Sequence, residues 1–189
     1  MPPKVKVTKE QIIAAGLALA REAGPGAINA RAVAGQLGCS TQPVFSNYAA
    51  METLEQDVLA AAHGLFQAHL EAARQAGTYP PYKAMGLGYI DFARQEPELF
   101  RWLFMRNRTG ETRSDGREEN AGVIGLISQK TGLDSETAWQ FHLEMWIFVH
   151  GVASMLATGY VDWDSQLVSD MLTDVFEGLK ARFQNKEGT

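Results

Sequence analysis

Apolar residues recur along this chain at three- and four-residue intervals almost throughout, and nowhere alternate with polar ones over a useful length. That period belongs to helices and not strands. Ile12, Ile13, Gly16, Leu17 and Ala20 share one face of a first helix. Thr8-Lys9-Glu10-Gln11 has the capping-box pattern at its start, and Gly24-Pro25-Gly26 ends it. Two short patterns follow. Asn29 is placed to cap the first, whose inner face is Ala32, Val33 and Leu37. Gly38 supplies a turn, and Ser40 is placed to cap the second, Thr41 to about Tyr48, with Pro43 in its first turn. A helix that short needs packing to hold it, here through Val44, Phe45 and Tyr48.

A long helix is predicted from Met51 to Arg74, with Leu54, Val58, Leu59, Ala62, Leu65, Phe66, His69 and Leu70 in its stripe. Gly77-Thr78-Tyr79-Pro80-Pro81 breaks it. Beyond lie helical patterns over 81–95, 98–106, 118–131, about 135–158 and about 164–184, with a polar, Gly-containing loop over 107–117. Asp134 and Ser135 are candidate caps for the fourth of these. The last has the cleanest stripe, from Leu167 and Val168 through Leu172 and Phe176 to Phe183. The expected fold class is all-α: a three-helix head over residues 1–50, carrying a helix-turn-helix, joined through a long helix to an all-helical body over 51–189.

Composition changes this picture little, but charge does. The chain of 189 residues is ordinary in hydrophobic and charged content, with a net charge of −5. Residues 1–50 carry five basic and two acidic side chains, a net +3. The other twelve basic and twenty acidic residues leave −8 on the body. A basic head on an acidic body suits a molecule of which one end meets phosphate; the plain alternative is scatter. The apolar segments are interrupted short of a membrane span, and MPPKVKVTKE lacks the apolar core of a secretory signal. With Cys39 as the one cysteine there is no internal disulfide, which fits a reducing cytoplasm. For Cys39 a small buried hydrophobe outweighs a redox sensor.

Candidate chemistry follows from the head. A second helix lying in a major groove presents its N-terminal residues to base edges. Thr41 and Gln42 are the natural readers, since Gln pairs bidentately with adenine, while a Thr methyl or the Pro43 ring meets a thymine methyl. Ser46, Asn47 and Tyr48 fall nearer the sugar-phosphate strands, and Phe45 is divided between core and backbone contact. Asn29 and Arg31 open the helix before the turn, whose N-terminus favours a phosphate.

In the body, aromatic residues concentrate between 89 and 148. Tyr89, Phe92, Trp102, Phe104 and Trp146, with His150, are the candidate lining of an apolar ligand cavity. Singly, each is better read as core. His63, His69, His142 and His150 have no metal-ligand spacing with one another, and no phosphate loop or nucleophile elbow occurs. No catalytic site, metal or cofactor is expected.

Two short helices about a Gly turn, one helix before and a long one after, resemble the head of tetracycline-repressor-family regulators. The residues that carry the resemblance are Gly38-Cys39-Ser40, Phe45, Asn47, Tyr48, Met51 and Leu54. Phe45, Asn47 and Met51 stand where the family often has Tyr, His and Lys. That implies a weaker phosphate grip, or one carried by Lys4, Lys6, Lys9 and Arg31. Trp146, His150 and Gly151 resemble a Trp…His-Gly signature of one class of that family's ligand-binding domains. The resemblance implies a homodimer, and the small residues Gly151, Ala153, Ser154 and Ala157 with the Leu167 to Phe183 stripe point to the last two long helices as its interface. It also implies double-stranded operator DNA and a small-molecule effector as partners, and repression relieved by that effector. The alternative is a helical ligand-binding or protein-interaction module with a degenerate head; an enzyme ranks third.

Overall fold

A computed structural model describes residues 7–110 and 115–186. All regular structure among them is helical. The α-helices are α1 (Lys9–Ala23), α2 (Ala30–Gln36), α3 (Gln42–Asn47), α4 (Met51–Gln75), α5 (Pro81–Gln95), α6 (Pro97–Phe104), α7 (Ala121–Thr131), α8 (Ser135–Ala157) and α9 (Ser165–Lys186). One 3-10 turn, Pro25–Ala27, follows α1. The chain divides into two compact units, residues 1–68 with 96–106, and residues 69–95 with 107–189.

The first unit is built on caps that its sequence announces. Thr8 Oγ1 accepts from Gln11 N at 3.3 Å while Thr8 N donates to Gln11 Oε1 at 2.9 Å, a complete capping box. Asn29 Oδ1 accepts from Ala32 N at 3.0 Å. Gly38, with φ 63, makes the left-handed turn between α2 and α3. Ile12, Val33, Val44, Leu54 and Val58 are fully buried, and α6 adds Leu99 and Phe100 to this core. Arg21, in the last turn of α1, clasps the Glu96 carboxylate in a two-point contact, with Nε donating to Oε2 at 2.8 Å.

Ser40 is not the cap of α3. The helix starts one residue later, Thr41 takes the cap position, and no side chain caps it. The physical reason is backbone: Thr41 has φ −70 and ψ −14, already helical, so its hydroxyl does not reach the first free N–H groups. Phe45 is no part of the core either. Its side chain is 58% exposed, whereas Val44 and Tyr48 are enclosed. Cys39 is half-buried, not a core residue.

In the second unit α5 packs chiefly on α8, with α7 and α9 alongside. Asp134, and not Ser135, caps α8, its Oδ1 accepting from Thr137 N at 2.9 Å. Gly132 ends α7 in the left-handed conformation. α7 begins at Ala121, later than its sequence pattern suggests, because residues 117–120 form a turn. The α9 stripe is divided. Val168, Leu172 and Phe183 are buried within the unit, and Phe176 meets Phe141 edge-on at 5.2 Å, while Leu167 is 43% exposed. No described helix is long and apolar enough to cross a membrane.

Candidate functional site

α3 has fewer than two turns, and its sequence partitions its faces sharply. Val44 faces inward, and Tyr48 closes the helix from the C-cap position, 2% exposed. The Tyr48 hydroxyl donates to Asp57 Oδ2 at 2.8 Å, and Lys9 Nζ lies 2.7 Å from the same oxygen and 5.0 Å from the Tyr48 ring. α1, α3 and α4 are thus pinned at one point. Enclosure, with the Asp57 bond second, drives the Tyr48 phenol well above its ordinary range. The Lys9 and Tyr48 bonds hold Asp57 below the usual carboxylate range, so the carboxylate stays ionised. Tyr48 is therefore an anchor, with its hydroxyl spoken for. The expectation that it meets a sugar-phosphate strand is corrected by that geometry.

With Val44 and Tyr48 committed inward, the other face of α3 is open. Gln42, Phe45, Ser46 and Asn47 are exposed, and Thr41 and Pro43 are half-buried beside them. Ser46 Oγ donates to the Gln42 carbonyl and Asn47 Nδ2 to the Pro43 carbonyl, both at 2.8 Å. Each side chain is thereby folded back on its own helix. Asn47 retains a second N–H and its carbonyl oxygen, and Ser46 its hydroxyl lone pairs, for an outside partner. Asn29, Arg31 and Ser40 are exposed on the approach to the turn. Lys4 and Lys6 lie outside the described residues.

The six body residues are divided between the two units. Trp102 and Phe104 are in the first unit and Tyr89, Phe92, Trp146 and His150 in the second. Phe104 packs on Phe66 and Phe100, with ring centroids 4.9 Å and 5.1 Å apart. Phe92 is fully buried and meets His69 edge-on at 5.6 Å, so it is core.

Three of the six do converge. Tyr89 Oη and His150 Nδ1 are 2.9 Å apart, and the Trp146 ring stacks on His150 at 5.3 Å with planes 22° apart. Trp146 keeps 45% of its surface exposed. Burial raises the Tyr89 phenol and lowers His150, so both are neutral at pH 7. A neutral donor-acceptor pair under an open indole suits a planar, weakly polar ligand.

Sequence reasoning missed Tyr82, which makes a parallel pair with His142. Tyr82 Oη lies 3.1 Å from His142 Nδ1, with the His142 ring beside Trp139 and the Tyr82 ring beside Phe176. The repetition is visible in the chain, since Tyr82 and Tyr89 are seven residues apart on α5 and His142 and His150 eight apart on α8. Seven- and eight-residue spacings return to one helix face. Asp57 also escaped notice, because nothing local marks it as the partner of Tyr48. Among the described residues no three His, Cys, Asp or Glu side chains cluster as metal ligands.

No curated protein matches the chain. The family model for the tetracyclin repressor-like C-terminal domain matches residues 82–179, which is just over half of it and takes in α5, α6, α7, α8 and most of α9. The chain therefore belongs to the tetracycline-repressor-like family, and residues 82–179 are its family-type C-terminal domain.

Proposed function

We propose that this protein is a DNA-binding transcriptional regulator, a cytoplasmic homodimeric repressor that a small-molecule effector releases from a palindromic operator. Residues 1–50 are the DNA-docking head in this reading, and 51–189 the effector-binding and dimerisation body. The observation that carries it is the two-faced α3. Its buried side is tied to α1 and α4 through Val44, Tyr48 and Asp57, and its open side offers Gln42, Phe45, Ser46 and Asn47. A helix so held is rigid enough to be read against base edges. Gln42 is the base reader with Thr41 and Pro43 beside it. Asn29, Arg31, Ser40, Ser46 and Asn47 meet the strands.

The effector is assigned to the Tyr89–His150–Trp146 cluster. That assignment accords with the Trp…His-Gly class of domain and leaves Phe92 to the core. The second copy is assigned to the outward faces of α8 and α9. Ile147 is 64% and Leu167 43% exposed there, and Gly151 and Gly178 leave open space for a close neighbour. Two-fold symmetry then calls for half-sites ~34–36 Å apart.

Gel shifts with DNA from beside the gene test the reading. Affinity should fall steeply with rising salt as phosphate contacts release counterions. Gln42→Ala should cost about 1–3 kcal/mol on the cognate site and relax sequence preference. An unchanged ratio of cognate to scrambled binding would remove Gln42 as a reader. Sedimentation as a monomer at micromolar concentration would remove the dimer. A second reading has an observation in its favour: Phe45 is exposed without a phosphate-binding hydroxyl, and Met51 replaces a family Lys. On it the chain is a ligand-binding or protein-interaction module, and no specific shift appears even at low salt.

A further inference from the structure

A groove of about 290 Å³ runs between the end of α4, α5 and the start of α9, all within the second unit. Its walls include Ala84, Leu87, Gly88, Ile90 and Val168, and it shares no residue with the Tyr89–His150–Trp146 cluster. The volume lies just below the ~300–1,000 Å³ of ordinary small-molecule pockets.

One cation stands in this apolar setting. The half-buried Arg94 guanidinium lines the groove and gives two nitrogens to neutral acceptors, Ser165 Oγ at 3.1 Å and the Trp163 carbonyl at 2.6 Å. Its third nitrogen, Nε, is sealed from solvent without a hydrogen-bond partner. Among the described residues Arg94 has no ion pair. Asp91, a turn earlier on the same wall, makes no ion pair with it. The Asp91 carboxylate accepts from Gln95 Nε2 at 2.6 Å and lies 3.3 Å from His69 Nε2. A guanidinium held against apolar walls without a counter-ion is costly, and an arriving carboxylate relieves that cost. The imbalance is pointed in a body whose net charge is −8.

We propose that this groove binds a small organic carboxylate with an apolar body, its chain along Ala84, Leu87 and Val168 and its carboxylate at Arg94 and Ser165. The site is independent of the DNA-docking reading and is measured on the full chain without DNA. Calorimetry with octanoate, octan-1-ol and octylamine as probes tests it.

Octanoate should bind saturably, at least ten-fold tighter than octan-1-ol, and octylamine should bind more weakly still. Arg94→Gln should abolish that preference and Arg94→Lys retain part of it. Because Arg94 also ties the start of α9, a second variant guards the test. Ala76→Phe, at the exposed rim of the groove, should weaken octanoate at least five-fold while circular dichroism stays unchanged. Equal binding of the three probes, no saturation by octanoate, or full affinity in folded Arg94→Gln or in Ala76→Phe would each overturn the proposal.

Discussion

Phe45 and Tyr48 stand three residues apart on one short helix, and the structure gives them opposite tasks. Truncating each to alanine separates those tasks. Tyr48 is 2% exposed and hydrogen-bonded, so Tyr48→Ala leaves a cavity and an unmade bond. Loss of a buried aromatic of this size costs about 3–5 kcal/mol. Phe45 is 58% exposed, so less than half its surface is covered. Complete burial of a Phe is worth ~1.5–3 kcal/mol, which sets the packing loss in Phe45→Ala near ~1 kcal/mol. Alanine's better helix propensity returns up to ~0.7 kcal/mol of that. Phe45→Ala should therefore be almost as stable as the parent chain. On DNA the order reverses for the folded protein, and Phe45→Ala should lose about five-fold or more in operator affinity, equivalent to ~1 kcal/mol.

The assay pairs urea unfolding at one fixed protein concentration, since a dimer's midpoint depends on it, with fluorescence anisotropy on labelled operator. Equal losses of midpoint in the two variants would refute the partition of α3 into a buried and an open face. Unchanged operator binding by Phe45→Ala would remove Phe45 from the docking surface.

Two helical glycines should respond to alanine with opposite signs. A Cβ at Gly88 would stand 2.8 Å from Ala73 Cβ, an overpacking worth ~1–3 kcal/mol of destabilisation, whereas at Gly125 it meets nothing within 4 Å and should stabilise by up to ~1 kcal/mol. Thermal midpoints that move in the same direction for Gly88→Ala and Gly125→Ala would contradict the close approach of α4 and α5 at that point. Stability should also depend on pH through the buried imidazoles. Burial holds His142 and His150 below their ordinary 6.5, so the unfolded chain takes up protons where the folded one does not. Their contribution is intact well above 6.5 and is lost as pH falls through the lower folded-state values, so the urea midpoint should drop as pH falls below 6.5. His142→Gln should shrink that drop, and an identical pH profile in the variant would exclude His142 as its source.

Much of this was legible in the sequence because helices are local objects. Thr8, Asn29 and Asp134 cap the helices they precede, since a cap concerns a side chain and an N–H two or three residues away. Gly38 marks the turn for the same reason. The repeating apolar stripe of α4 needs only the helical period, and Leu54, Val58, Ala62 and Phe66 are its buried members.

Other features depended on partners that no local pattern identifies. In a helix of six residues the period is sampled less than twice, so it does not say which aromatic turns inward. Asp57, nine residues beyond Tyr48, and Lys9 decide it. Ser40 has a capping side chain, but the backbone angles of the turn move the cap position to Thr41 without using either hydroxyl. The aromatic residues from 89 to 148 read as one cluster in the chain, yet the division into units sends Trp102 and Phe104 one way and Trp146 and His150 the other. Periodicity determined that this protein is helical, and the local caps at Thr8, Asn29 and Asp134 fixed where three of its helices begin. Only the packing of those helices decided which faces are spent on the core and which remain exposed. The reason is that burial is a property of contacts between segments far apart in sequence.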